Sequence, residues 1–155
     1  MPALRYIRTM QPMPRTQLVI TNVPTTGGQA GSKIQIPIQP DLDGCLIVGF
    51  ETFTADVLAS TPDRVPVITA ADSVNVAVTL NESADKRFWR MPYLSLVAIN
   101  NAGIFRQSEP FQVDWQKSQF EVGAAPITGG TALVIQVQYL RPEDAPELFA
   151  AIKNA

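Results

Sequence analysis

The chain contains no histidine, and that absence excludes histidine triads, histidine general bases and the usual zinc sites. Its single cysteine, Cys45, rules out an internal disulfide framework and a cysteine metal cluster. Cys45 sits in the apolar run CLIVGF and reads as core. Charge is scarce as well. Only 17% of residues are Asp, Glu, Lys or Arg, against about 25% in typical soluble proteins, so less of the surface is built for water. No apolar run approaches the roughly 18 residues of a membrane-spanning helix; CLIVGF and ALVI are the longest candidates. The first 20 residues carry arginines and prolines and lack the apolar stretch of a signal peptide. Synthesis in a cytoplasm without secretion is therefore expected.

Acidic residues are missing from residues 1–40, which hold Arg5, Arg8, Arg15 and Lys33 and so carry +4. The other 115 residues hold 8 basic and 14 acidic side chains, a balance of −6. The N-terminal stretch is thus a distinct electrostatic object. It reads either as a solvated tail or as an arm lying on a neighbouring subunit, on nucleic acid or on an anionic membrane.

What is present is enough for one domain. At 155 residues and 46% hydrophobic, the chain can bury a single core without disulfides or metal. Strand-like segments rich in Val, Ile, Phe and Thr recur at about 3–9, 17–23, 32–38, 45–54, 73–80, 86–93, 95–99, 110–115, 118–122 and 131–140. Turn-forming stretches separate them: PTTGGQAGS, QPDLDG, STPDRVP, TAADS, NESAD, NNAG and PITGG. Many short strands with no helix-period segment between them favour an antiparallel sandwich or barrel. The run TALVIQVQYL puts Leu133, Ile135, Val137 and Tyr139 on one face and Val134, Gln136 and Gln138 on the other, and it reads as a central strand. In SVNVAVTL, Val74, Val76, Val78 and Leu80 alternate inward, while the small Ala77 on the other face leaves room for something to pack closely.

SKIQIPIQP alternates in the same way, with Ile34, Ile36 and Ile38 on one face, yet Pro37 interrupts it. Proline has no N–H for a ladder and is confined to edges, first residues and bulges, so Pro37 marks 32–38 as a guarded sheet edge, or as a strand whose N–H at that point faces away from its partner. One helix is expected, at the C-terminus. In RPEDAPELFAAIKNA, Asp144 reads as its cap, Glu147 as the capping-box partner and Pro146 as a first-turn residue. Leu148, Phe149 and Ile152 then share a face, and so short a helix must dock on its own sandwich or on a partner.

Few motifs carry chemistry. GGQAGSK has the glycines and lysine of a phosphate loop, but Lys33 opens a strand where such a loop needs a helix N-terminus. Asp41, Asp43 and Gly44 resemble the start of a calcium loop without its further ligands, and an Asx turn explains them. Glu51, Asp56, Asp63 and Asp72 could supply a glycosidase pair only if two of them faced each other, which sequence does not show. KRFWRMPY interleaves Lys86, Arg87 and Arg90 with Phe88, Trp89 and Tyr93. Its readings are a protein interface, a plain strand or a nucleic-acid platform. In VDWQKSQF, Val113 and Trp115 share a face and read as core.

The stretches GFETFTADVLASTPD, RMPYLSLVAINNAGIFR and FQVDWQKSQF resemble the small single-jelly-roll coat and penton-type proteins of tailless icosahedral viruses of bacteria. The resemblance covers residues 45–140 and is one of strand rhythm, length and arm. It implies a jelly-roll sandwich of about eight strands, an N-terminal arm reaching a neighbour or the capsid interior, and no catalytic residues.

The expectation is therefore all-β: an extended basic arm over 1–16, an antiparallel sandwich over 17–142 and a short helix over 143–155. The expected function is that of a structural virion protein, located in the virion, that assembles into rings or shells with other virion proteins. Arm contact with nucleic acid or an internal membrane is also open. Neither catalysis, cofactor nor metal is expected. The interface candidates are Arg5, Arg8, Arg15, Pro37, Arg87, Trp89 and Phe149. A carbohydrate-binding or host-attachment sandwich is the alternative.

Overall fold

The computed structural model describes residues 14–82, 88–97 and 106–153. Its strands are β1 (Arg15–Asn22), β2 (Lys33–Gln35), β3 (Leu46–Phe53), β4 (Val76–Asn81), β5 (Phe88–Pro92), β6 (Arg106–Phe111), β7 (Gln119–Val122) and β8 (Ala132–Leu140). They form two four-stranded sheets, ordered β1-β8-β3-β6 and β2-β7-β4-β5. Every pairing between these strands is antiparallel. The protein is an all-β sandwich, as its strand rhythm predicts.

The core lies between the sheets. Val19, Ile47, Phe50, Ile135 and Val137 of the first sheet form one buried cluster with Ile36, Val76, Val78, Leu80, Phe120 and Val122 from the second sheet and its flank. β8 is the central strand its alternation foretells, held by β1 on one side and β3 on the other. Cys45, Val113 and Trp115 are buried, as read. Tyr93, which follows β5, joins the two sheets. Its hydroxyl donates to the carbonyl of Phe53 at 2.5 Å and accepts from the amide of Val134 at 3.1 Å, while Thr52 Oγ1 donates to the Tyr93 carbonyl at 2.8 Å. Burial raises the Tyr93 phenol far above its ordinary pKa.

Several boundaries differ from the sequence reading, each for a local reason. β1 starts at Arg15, so Arg15 and Thr16 belong to the sandwich and not to an arm over 1–16. Asp144 of the chain's other end holds Arg15 there, with Nε to Oδ2 at 3.1 Å and Nη2 to Oδ1 at 3.3 Å. The same carboxylate accepts from the Arg141 amide at 3.4 Å. Asp144 therefore closes a turn and an ion pair, and the helix begins after it, at Pro146–Lys153. That helix docks on its own sheet: Leu148 and Phe149 pack on Leu46, Leu140 and Ala145.

The segment 73–80 does not start as a strand. Thr69 caps a short helix, Ala70–Ser73, by accepting from the Asp72 amide at 3.2 Å, and this carries Val74 out to 61% exposure. Residues 95 and 96 of the expected strand 95–99 lie in a 3-10 turn, Tyr93–Leu96, which lets Tyr93 reach across the core, and residues 98–99 lie outside the described residues. The expected strand 110–115 breaks because Asp114 caps a second 3-10 turn, Trp115–Lys117. The expected strand at 3–9 lies outside the described residues. No described helix is long and apolar enough to cross a membrane.

Candidate assembly surface

Sheet edges and outer faces decide what such a sandwich can touch. Among the described residues β2 pairs only with β7, so it is an edge there, as Pro37 implies. The ladder ends early, however. Lys33–Gln35 is the whole strand; Ile36 adds one bond, from its amide to the Ser118 carbonyl at 3.3 Å. Gln35 then ties the edge down, its Nε2 donating to the carbonyls of Trp115 and Ser118, each at 2.9 Å. Pro37 follows, exposed, its carbonyl accepting from Gln39 Nε2 at 2.7 Å.

Ile38 is the correction here. The alternation puts it inward with Ile34 and Ile36, whereas it is 60% exposed. Period two holds only while the ladder holds, and past Gln35 the backbone turns into the 3-10 turn Pro40–Leu42. Ile38 and Pro40 instead line a groove of about 490 Å³ beside Trp115 and Gln116.

The outer face of the second sheet carries a larger groove, about 690 Å³, lined by Lys33, Val74, Ala77, Arg90, Pro92 and Glu121 among others. Strand register explains it. Lys33, Glu121, Ala77 and Pro92 stand in one row across β2, β7, β4 and β5, so the methyl of Ala77 leaves the space that larger side chains would fill. Arg90 Nη2 reaches Glu121 Oε2 at 3.0 Å across it. The small outward alanine thus makes room, as read.

The chemical readings fare differently. The glycine loop 27–31 is closed by its own backbone: Gly27 N donates to the Pro24 carbonyl at 2.8 Å, Gly28 N to Ile127 at 3.1 Å and Gly31 N to Gly123 at 2.9 Å. Those amides are spent and do not face a phosphate. Asp41 lies in the 3-10 turn, Asp43 follows it, and Gly44 takes φ +72°. Among the described residues no three of His, Cys, Asp and Glu gather as a metal would require. Glu51 is buried in β3, and desolvation raises its carboxyl pKa. Asp56 and Asp63 are exposed on loops, while Asp72 Oδ2 accepts from the Thr128 amide at 2.9 Å. Burial likewise raises the Cys45 thiol.

No protein-family model, curated protein or solved structure matches this chain.

Of the interface candidates, Pro37 stands on an exposed edge, while Arg15 and Phe149 are engaged by their own chain. Arg5, Arg8 and Arg87 lie outside the described residues, as does the side chain of Trp89, whose backbone pairs with Leu80. Sequence reasoning missed Ile38, Val74 and Leu94, the exposed large hydrophobic side chains among the described residues, at 60%, 61% and 44%. Only the proline after Ile36 signalled the first, by ending the ladder.

Proposed function

We propose that this chain is a structural subunit of a virion, of coat or penton type, which builds rings or shells from copies of itself. The strand pairing carries this reading. β1 pairs with β8, β2 with β7, β3 with β6 and β4 with β5. A chain so paired follows the course of one long hairpin whose successive strand pairs alternate between the two sheets, and this order supports a jelly-roll reading. That architecture serves viral capsids and lectins, so fold alone does not choose between them.

Three surface features favour assembly. Charge is sparse, the β2 edge is blunted by Pro37, and exposed Ile38 and Val74 each border a groove. Blunting limits uncontrolled edge pairing and leaves contacts to specific side chains. The basic, acid-free stretch before β1 supplies an arm for a neighbour, nucleic acid or lipid. The protein performs no catalysis in this reading and needs no cofactor.

The alternative, a carbohydrate-binding or host-attachment module, calls for exposed aromatic rings. Trp115 is 5% exposed and cannot stack on a sugar. Tryptophan fluorescence titrated with glycans, beside a light-scattering concentration series, separates the two. Assembly with no glycan response supports the proposal; a glycan-binding monomer overturns it. Removing residues 1–13 should leave the sandwich folded and impair assembly.

A further inference from the structure

Of the four sheet edges, β1 is the one least defended. β2 has three residues and is followed by Pro37, β5 carries Arg90 and Pro92, and β6 carries Glu109 and Pro110. β1 runs for eight residues, RTQLVITN, with its only charge at the first position. It holds no proline and no bulge, and its register with β8 is unbroken. Among the described residues it pairs with β8 alone. A long edge without proline or bulge, charged only at its start, is a template for another strand.

The backbone shows which groups that edge offers. Val23 N donates to the Thr131 carbonyl at 2.8 Å, so odd-numbered residues of β1 turn their N–H and C=O toward β8. Two contacts on the far side of β8 agree. Ala132 N donates to Pro66 and Val134 N to Tyr93, both away from β1, and these residues stand opposite Asn22 and Ile20. Thr16, Leu18, Ile20 and Asn22 therefore direct their backbone groups outward. Their side chains lie on the outer sheet face, where Leu18 and Ile20 are only half-buried.

We propose that the occupant of this edge is β1 of a second copy, antiparallel, about a two-fold axis at Val19. A two-fold perpendicular to the sheet keeps outer residues beside outer residues, so paired positions must differ by an even number. Centring on Val19 sets Thr16 against Asn22 and Leu18 against Ile20. This register uses all four outward residues of both strands, about eight hydrogen bonds in all. It also joins Leu18 and Ile20 of both copies into one apolar cluster. No like charges meet, because Arg15 falls opposite Val23 and is already held by Asp144. The product is one continuous sheet across two molecules.

The test uses the full chain and two variants. Ile20→Lys places a charge in the joint and should weaken pairing by about tenfold or more, because a charge buried there lacks a partner. Thr16→Cys with Asn22→Cys alters two exposed positions and should give a closed disulfide-linked dimer under mild oxidation. Sedimentation reads the first and non-reducing electrophoresis the second. Unchanged association in Ile20→Lys overturns the proposal, and so does the absence of the cross-link in the cysteine variant, which also decides the matter should Ile20→Lys fail to fold. A wild-type monomer with slowly exchanging amides at Leu18 and Ile20 would also overturn it, since the edge would then be covered by its own chain. The pairing and the shell are separable: a protein that stops at a dimer keeps the pairing and sinks the shell, and shells that survive Ile20→Lys do the reverse.

Discussion

The hydroxyl of Tyr93 accepts from the amide of Val134 at 3.1 Å, tying the end of the second sheet to the central strand of the first. The same hydroxyl donates to the Phe53 carbonyl, and Val134 and Phe53 are ladder partners in β8 and β3. The phenol thus fills a place in the ladder itself. Tyr93→Phe keeps the ring and strands both backbone groups in a buried site. It should lower stability by about 1–3 kcal/mol in denaturant titration. A loss near zero would mean that solvent reaches the site.

Glu51 faces the opposite problem. It is 3% exposed and, among the described residues, Oε2 has no hydrogen-bond partner. Desolvation raises its folded pKa above the unfolded value. The stability linked to its protonated form is therefore present below the ordinary glutamate range and is lost as pH rises through the raised folded value. Glu51→Gln should remove that loss and stabilise the protein at neutral pH by roughly 1 kcal/mol. Thermal melts of both proteins across the acid range check it; a variant less stable than wild type at neutral pH would mean that the carboxylate has a favourable role.

Asp144 has the opposite sign. Its hydrogen bond to Arg15 holds its carboxyl below the ordinary aspartate range. Its contribution is present above the unfolded pKa and fades as pH falls through the depressed folded one. The pair is solvent-exposed, with side chains at 48% and 20%, so the effect is local and screened by salt. Asp144→Asn should loosen the start of β1 at neutral pH, seen as faster amide exchange at Arg15 to Gln17. At the acid end the two proteins should behave alike.

Pro37→Val supplies an N–H where the β2 ladder ends. Pro37 is exposed and no buried atom is lost, so monomer stability should change by less than about 1 kcal/mol. Off-pathway association should rise, read as irregular aggregates by light scattering. Unchanged association with a gain of several kcal/mol would contradict the edge argument.

The sandwich was legible because alternation survives wherever a strand lies in a ladder. Residues 131–140, 45–54 and 118–122 read correctly for that reason. Ile38, Val74, residues 95–96 and the segment 110–115 misled because caps and turns end the ladder first: Gln39 on Pro37, Thr69 on Asp72, the 3-10 turn at Tyr93–Leu96, Asp114 on Gln116. Asp144 looked like a cap because its true partner, Arg15, is 129 residues away in sequence. The groove over Ala77 was foreshadowed by one small residue, since a missing side chain is a local fact. The position of β1 at a sheet edge was not, since it depends on which strands become neighbours.

The most direct measurement of the central claim is an electron micrograph of the purified full chain, taken with its mass by light scattering. The proposal predicts rings or shells of one repeating diameter, with a mass of many subunits. A field of separate particles of single-domain size, at every concentration and with other virion components added, would contradict it.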